Sequence, residues 1–520
     1  MTDIEAASVA WASGLGTRKI NQGYARTLVE RGATLTPHAA AGLGFTDELA
    51  KMLAADPKAI DAKGCDACTP LHFARDIATA ELLLAHGARI DARDEDHHST
   101  PAQSLIGDAP EITRFLLECG ATPDIFMAAA LGDLELAKSL IATNPQCTSY
   151  RIGKAPDFPP IGGGRGGTIY QWTLAFNSYP HQIALSKGHR EVFNVLYEKS
   201  DTVTRFLVDC VLARREEATA IAEANPGLVA SLPSQDLELL PRYCWETNTN
   251  FDAVKLMLDL GFPVTQTERS HGYSALHNAA WSGSADLVEL LIERGAPVDL
   301  LDPGFHATPL GYALHDCLYV KRHPEGDFGR VVKALLDAGS PWDALDCPTG
   351  EPQLDRVFRD YLPTRIDGAA LLGDEAAVLR MLGDSPTPEA LSLALAGAAK
   401  SGDSAFVERL LNRGANVNGS TGADKVSPLM YALFGASHSV ARLLLKRGAS
   451  ISHKNAHGTL PLHYAVAYGA PVDTVQLLLD AGATAHIGTP NEHGRTPLEV
   501  AEARGFPDVA AVLRMAQSRL

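Results

Sequence analysis

The chain has 520 residues, a formal net charge of −17 and 46% hydrophobic residues. That acidic balance excludes a nucleic-acid footprint, which needs clustered Lys and Arg; where two arginines meet, at Arg214-Arg215, Glu216-Glu217 follow at once. No apolar run approaches the ~20 residues that cross a bilayer, and the start Met1-Thr2-Asp3-Ile4-Glu5 lacks the basic and apolar segments of a secretory signal.

The elements come in helix pairs. The first pair carries Arg18, Lys19, Asn21, Gln22 and Arg26 and ends near Gly32. Thr69-Pro70-Leu71-His72-Phe73-Ala74 then opens a helix, and the following one ends at Gly87-Ala88. A weaker pair starts at Phe126-Met127-Ala128-Ala129-Ala130-Leu131-Gly132-Asp133. The stretch 201–233 reads as another pair without Thr-Pro. Ser274-Ala275-Leu276-His277-Asn278-Ala279 repeats the opening phrase, with Gly295-Ala296 as its stop. Gly368-Ala369-Ala370-Leu371-Leu372-Gly373-Asp374 is degenerate again, and Leu460-Pro461-Leu462-His463-Tyr464-Ala465 with Gly482-Ala483 restores the pattern. Glu502, Arg504, Arg514, Gln517, Ser518 and Arg519 give the last helices a polar outer face.

Each residue of the phrase has a physical task. Thr69, Thr308 and Thr496 stand where a helix begins, and a hydroxyl there caps an orphan N–H. Pro suits the next position because its missing N–H is not needed there. Leu and Ala make a small-residue face that lets helices approach closely. The second helix carries an apolar stripe, as in Asp286-Leu287-Val288-Glu289-Leu290-Leu291-Ile292, and Gly ends it in the left-handed region.

From Gly87 to Gly120, Gly414 to Gly448 and Gly448 to Gly482 the steps are 33, 34 and 34 residues. With T-P-L-H-x-A, this period resembles the ankyrin repeat. The resemblance implies an all-α solenoid of about 14 to 15 helix-turn-helix units joined by β-hairpin loops. It also implies that His72, His277 and His463 hydrogen-bond neighbouring backbone. It is strong near 69–121, 272–340 and 388–510. The organisation expected is N-terminal repeats over 1–147, irregular central repeats over 148–363 and C-terminal repeats over 364–520. Such stacks are chiefly binding scaffolds, so the expected function is a protein-interaction scaffold with the partner in the concave groove.

Function is sought where the repeat breaks, because insertions on a solenoid fall on one face. Residues 148–178 expand one hairpin with Gly162-Gly163-Gly164-Arg165-Gly166-Gly167. No Lys-Ser/Thr follows these glycines, so the stretch is not a P-loop. It reads as a contact loop carrying Tyr170 and Trp172. Near 240–250, Trp245 and Glu246 occupy the places of Ala279 and Ala280; a buried acid there would have a raised pKa. Residues 315–328 separate two helices by about ten extra residues.

By the ankyrin register, the groove takes the residues after Ala-Ala. These are Ser186 and Lys187, Thr247 and Asn248, Trp281 and Ser282, and His315 and Asp316; Leu371, Leu372, Leu433 and Phe434 continue the line. The alternative is a small-molecule site or enzyme in the central repeats. Material for acid–base work there is His181, Glu246, His315 and Asp316, with His323, Glu325 and Asp327 close in sequence. Adjacent helical residues point in different directions, so His315–Asp316 is not an obvious dyad. No nucleophile-elbow, zincin or dinucleotide motif is present.

Cys65-x-x-Cys68 has no second pair to complete four ligands, so neither metal nor cofactor is expected. The remaining expectations are reduced thiols, a cytoplasmic monomer, an unnamed protein partner and, from the Ala- and Arg-rich composition, a bacterial source. The degenerate stretch 148–250 is expected to open in hydrogen exchange before 388–510.

Overall fold

A computed structural model describes residues 31, 34–153, 167–245, 250–269, 271–342, 347–422, 424–491 and 493–519. Among these residues, fourteen helix pairs follow one another from Pro37 to Gln517. The first and last terminal segments expected to be polar differ in status: the latter ends in the helix Pro507–Gln517, whereas Arg18, Lys19, Asn21, Gln22 and Arg26 lie outside the described residues.

A typical pair is Ala275–Trp281 followed by Ala285–Glu293. Ser274 caps the first helix by accepting from His277 N, and Ala279 and Ala280 on its inner face are fully buried. Absence of side-chain bulk at those positions is what allows the next helix to sit close. After the second helix, Gly295 takes φ +82°, and the N–H of Ala296 returns to Leu291 O at 2.9 Å. The left-handed glycine thus satisfies carbonyls that the helix end leaves open. Thr496 shows the fuller start signal, a capping box in which Glu499 accepts from Thr496 N at 2.7 Å.

In two repeats the histidine ties its pair to the next hairpin, whereas among the described residues His463 only accepts from Leu460 N at 3.4 Å. Thr69 N–H donates to His72 Nδ1 at 3.1 Å, which leaves Nε2–H to donate to Ser99 O at 3.2 Å. His277 does the same with Ser274 N and Ala307 O, the latter at 3.1 Å. The connecting hairpins are mostly turns: among the described residues the β character reduces to two isolated bridges, Thr267 with Ser274 and Thr421 with Val426.

The chain forms two compact units. The first comprises residues 1–282 and 286–307, the second 283–285 and 308–520. In the first, the opening pairs share a core that runs from Ala40 through Leu49, Leu71, Leu83 and Leu116 to Met127. In the second, the first helices Ile366–Leu371, Pro388–Ser401, Pro428–Phe434, Pro461–Ala467 and Pro497–Arg504 pack in succession. One apolar core joins them from Ala369 to Leu513. The second unit also holds an extra helix, Pro352–Tyr361, and an insertion after Pro309–His315. There the chain passes through a π-helical turn, Asp316–Val320, before the second helix Phe328–Asp337 begins.

Candidate protein-binding surface

Side chains in the last turn of a repeat's first helix sit beyond its Ala-Ala face, at the edge of the core, where Phe434 and Tyr464 pack against it while staying partly open. In the second unit this leaves a line of apolar and aromatic residues open. Leu372 is 50% exposed and Tyr468 48%. Phe434 is half-buried, with its ring centroid 4.5 Å from that of Tyr468; Tyr464 lies 5.8 Å from Tyr468. Lys400 Nζ sits 4.2 Å above the Phe434 ring while donating to Cys347 O at 2.9 Å, a cation–π contact that stiffens the ring's position. His315 and Tyr319 are exposed, with rings 5.7 Å apart. Leu371 is half-buried, as Phe434 is, and Leu433 is fully buried, so Leu433 does not extend the line as expected.

Tyr319, Tyr464 and Tyr468 were missed in the sequence. Tyr468 had a readable signal: Ala467-Tyr468-Gly469 puts it in register with Phe434-Gly435. Tyr319 had none, because its exposure follows from the π-helical turn.

Asp316 is not a groove residue. It is fully buried, and its carboxylate accepts from Arg322 N and His323 N, both at 3.2 Å, and pairs with His323 Nδ1 at 3.2 Å. The extra residues of the insertion fold back over the helix end, and their amides need an acceptor there. Asp316 supplies it. Of the expected acid–base pair, Asp316 is therefore a loop anchor joined to His323, while His315 lies exposed beside Tyr319.

In the first unit, Trp172 is 58% exposed and Ser186 and Lys187 are exposed, Ser186 Oγ donating to Ile183 O at 2.9 Å. Trp281 and Ser282 are half-buried, and Ser282 Oγ donates to Ala279 O at 3.2 Å. Tyr170 is not a contact residue: it is fully buried and donates to the buried carboxylate of Asp124 at 2.5 Å. Asp124 also accepts from Gln103, Phe126 and Met127, so it caps the helix Ile125–Leu131 and fixes the tyrosine together. His181 is likewise no surface base. It is fully buried, with Nε2 3.0 Å from Ser200 Oγ, and burial pushes its pKa down to about 4. Glu246, Thr247 and Asn248 lie outside the described residues.

One group has the composition of a metal site: a ligand atom from each of Cys68, His72 and Asp94 lies within 4.8 Å of the others. Its donors are already committed. His72 Nδ1 accepts from Thr69, and Asp94 accepts from His97 N at 2.6 Å and Ser99 N at 3.0 Å. Asp302 serves its own loop in the same way, accepting from Gly304, Phe305 and Ala307. Asp94 and His72 are thus parts of the repeat, with Cys68 added. No helix among the described residues is long and apolar enough to cross a membrane.

Comparison with known proteins agrees with the helix-pair geometry. An ankyrin-repeat family profile matches residues 66–95 and 271–303, and a profile of three ankyrin copies matches 395–489. Human Rabankyrin-5 is 24% identical over 280 residues, covering 46% of this chain and 23% of its own length. The nematode (Caenorhabditis elegans) ankyrin repeat and KH domain-containing protein mask-1 is 33% identical over 399 residues, 69% of this chain and 14% of that protein. Mouse ankyrin repeat domain-containing protein 37 is 31% identical over 109 residues, 21% of this chain and 67% of its own. The chain thus spans less than a quarter of the first two. These relatives are animal proteins and lend nothing to a bacterial source.

Proposed function

Because this chain belongs to the ankyrin-repeat family, we propose that it is a scaffold that binds a protein partner along the groove side of its first helices. The observation that carries the reading is the open pair Phe434 and Tyr468 at the ends of the successive first helices Pro428–Phe434 and Pro461–Ala467 of the second unit, with Leu372 exposed at the end of Ile366–Leu371, two first helices earlier. Rigid aromatic rings on a fixed backbone lose little freedom on binding and commonly dominate interface energetics. The net charge of −17 favours a partner of basic character, whose encounter it would accelerate. His315 and Tyr319 in the second unit, and Trp172, Ser186, Lys187, Trp281 and Ser282 in the first, are further contacts in this reading. We place the protein in the cytoplasm, since all seven cysteines described are free thiols, and take it to be a monomer.

The test is capture of partners from source lysate by the full chain and by a Phe434→Ala/Tyr468→Ala variant, followed by titration of whatever is retained. Each truncation is expected to weaken binding by about 1–2 kcal/mol, roughly five- to thirty-fold. Affinity unchanged in the double variant would remove this surface from the interface. Light scattering that gave a stable dimer would overturn the monomer.

A further inference from the structure

In the first unit, Ile152 N–H donates to Ser178 O at 3.0 Å and so brings Arg151 beside Tyr179. Both are buried, and the guanidinium carbon of Arg151 lies 5.8 Å from the centre of the Tyr179 ring. Arg151 is 3% exposed. Its Nη2 donates to Gln235 O at 2.6 Å and lies 3.6 Å from Asp236, but Nε and Nη1 have no hydrogen-bond partner among the described residues. The same holds for the Tyr179 hydroxyl and for Nδ2 of Asn177, which is 1% exposed. Arg242 repeats the pattern: Nη1 donates to Asn177 Oδ1 at 3.1 Å, whereas Nε finds no partner.

We propose that Arg151, Asn177, Tyr179 and Arg242 bind the oxyanion group of a small molecule, a phosphate or a carboxylate. Buried polar groups in folded proteins are almost always paired, so several unpaired donors on neighbouring residues call for an acceptor. The arginine and asparagine nitrogens are donors only, and the phenol can donate as well. A water would accept twice but bring two protons that need acceptors of their own. An oxyanion brings acceptors alone. Of the carboxylates nearby, Asp236 lies 3.6 Å from Arg151 Nη2 and leaves Nε and Nη1 without a hydrogen bond, Glu238 receives Arg242 at 3.1 Å and Arg269 at 2.7 Å, and Glu268 receives Asn278 at 3.0 Å. The site lies in the first unit and does not rest on the protein-binding reading.

The experiment is isothermal titration of the full chain with inorganic phosphate and, separately, with succinate, at ionic strength matched by sodium chloride. The wild type is expected to bind at least one of the two saturably, and which one it binds names the group. Arg151→Met is expected to weaken that binding at least ten-fold. Should circular dichroism show that Arg151→Met has lost its fold, Tyr179→Phe removes one donor without removing charge and is expected to weaken binding several-fold. No saturable binding of either anion by the wild type would overturn the proposal. So would equal binding by the folded variants.

Discussion

His181 lies between Tyr179 and Phe193, its ring centroid 6.4 and 6.1 Å from theirs. In the folded chain burial holds its pKa near 4, against 6.5 for a free histidine. Between those values the unfolded chain binds a proton that the folded chain refuses. Stability is therefore whole above about pH 6.5 and is lost as pH falls toward 4. At 1.36 kcal/mol per unit, this group alone costs roughly 2 kcal/mol at pH 5. Asp209 works the other way: burial raises it to about 6, so it destabilises at neutral pH and is relieved by acid. A difference measurement separates the two. Urea midpoints of wild type and His181→Gln at pH 7 and pH 5 are expected to show the acid loss shrinking by about 2 kcal/mol in the variant. The same loss in both proteins would mean that His181 stays neutral in the unfolded ensemble or is reached by water in the folded one. Nothing in the sequence around His181 distinguished a buried ring from a catalytic one. The aromatic neighbours Tyr179 and Phe193 were visible; their enclosure was not.

The helices themselves were legible because their signals are local. Thr308 caps Pro309–His315 by accepting from Gly311 N at 3.2 Å, and the Thr-Pro pair announces it. What failed was reading side-chain direction past an irregular turn or across long separations. The repeat register places Asp316 in the groove, but the π-helical turn at Asp316 and the loop amides of Arg322 and His323 claim its carboxylate. The glycines before Tyr170 suggest a contact loop, yet its partner Asp124 is 46 residues away. The insertion after His315 is also held at its far end. Asp327 N–H donates to Gly283 O at 3.0 Å, and Gly283, at φ +67°, sits so close to Gly326 that an added Cβ would come within 2.5 Å of its Cα. A side chain at 283 meets both an unfavourable φ and backbone, and backbone cannot swing away. Gly283→Ala is thus expected to cost at least about 1–2 kcal/mol and to speed amide exchange at residues 321–327. Exchange there at the wild-type rate would show that Asp316 alone holds the loop.

A solenoid divides its stability among units and the interfaces between neighbours, so unlike stretches of the chain need not open together. The second unit has one apolar core from Ala369 to Leu513, built on fully buried alanines such as Ala370, Ala398, Ala432 and Ala465. Between Arg151 and Asn278, by contrast, the first unit buries Arg151, Asp236, Glu238, Glu268 and Asn278. Buried charges that are paired add little net stability, because desolvation offsets their attraction, and unpaired donors subtract from it. Amides of 167–245 are therefore expected to exchange before those of 388–510 in native-state hydrogen exchange. The reverse order would mean that the polar network contributes more than apolar packing does. The same measurement bears on the anion site. A ligand that binds only the folded form slows opening of the segment that holds it, by about RT ln(1 + [L]/Kd). Phosphate or succinate, whichever binds, is expected to slow exchange around Arg151, Tyr179 and Arg242 and to leave 388–510 unchanged. Slowing spread evenly over both stretches would instead mark a general salt effect on an acidic chain. Slowing confined to the residues around Arg151, Tyr179 and Arg242 would place the anion there.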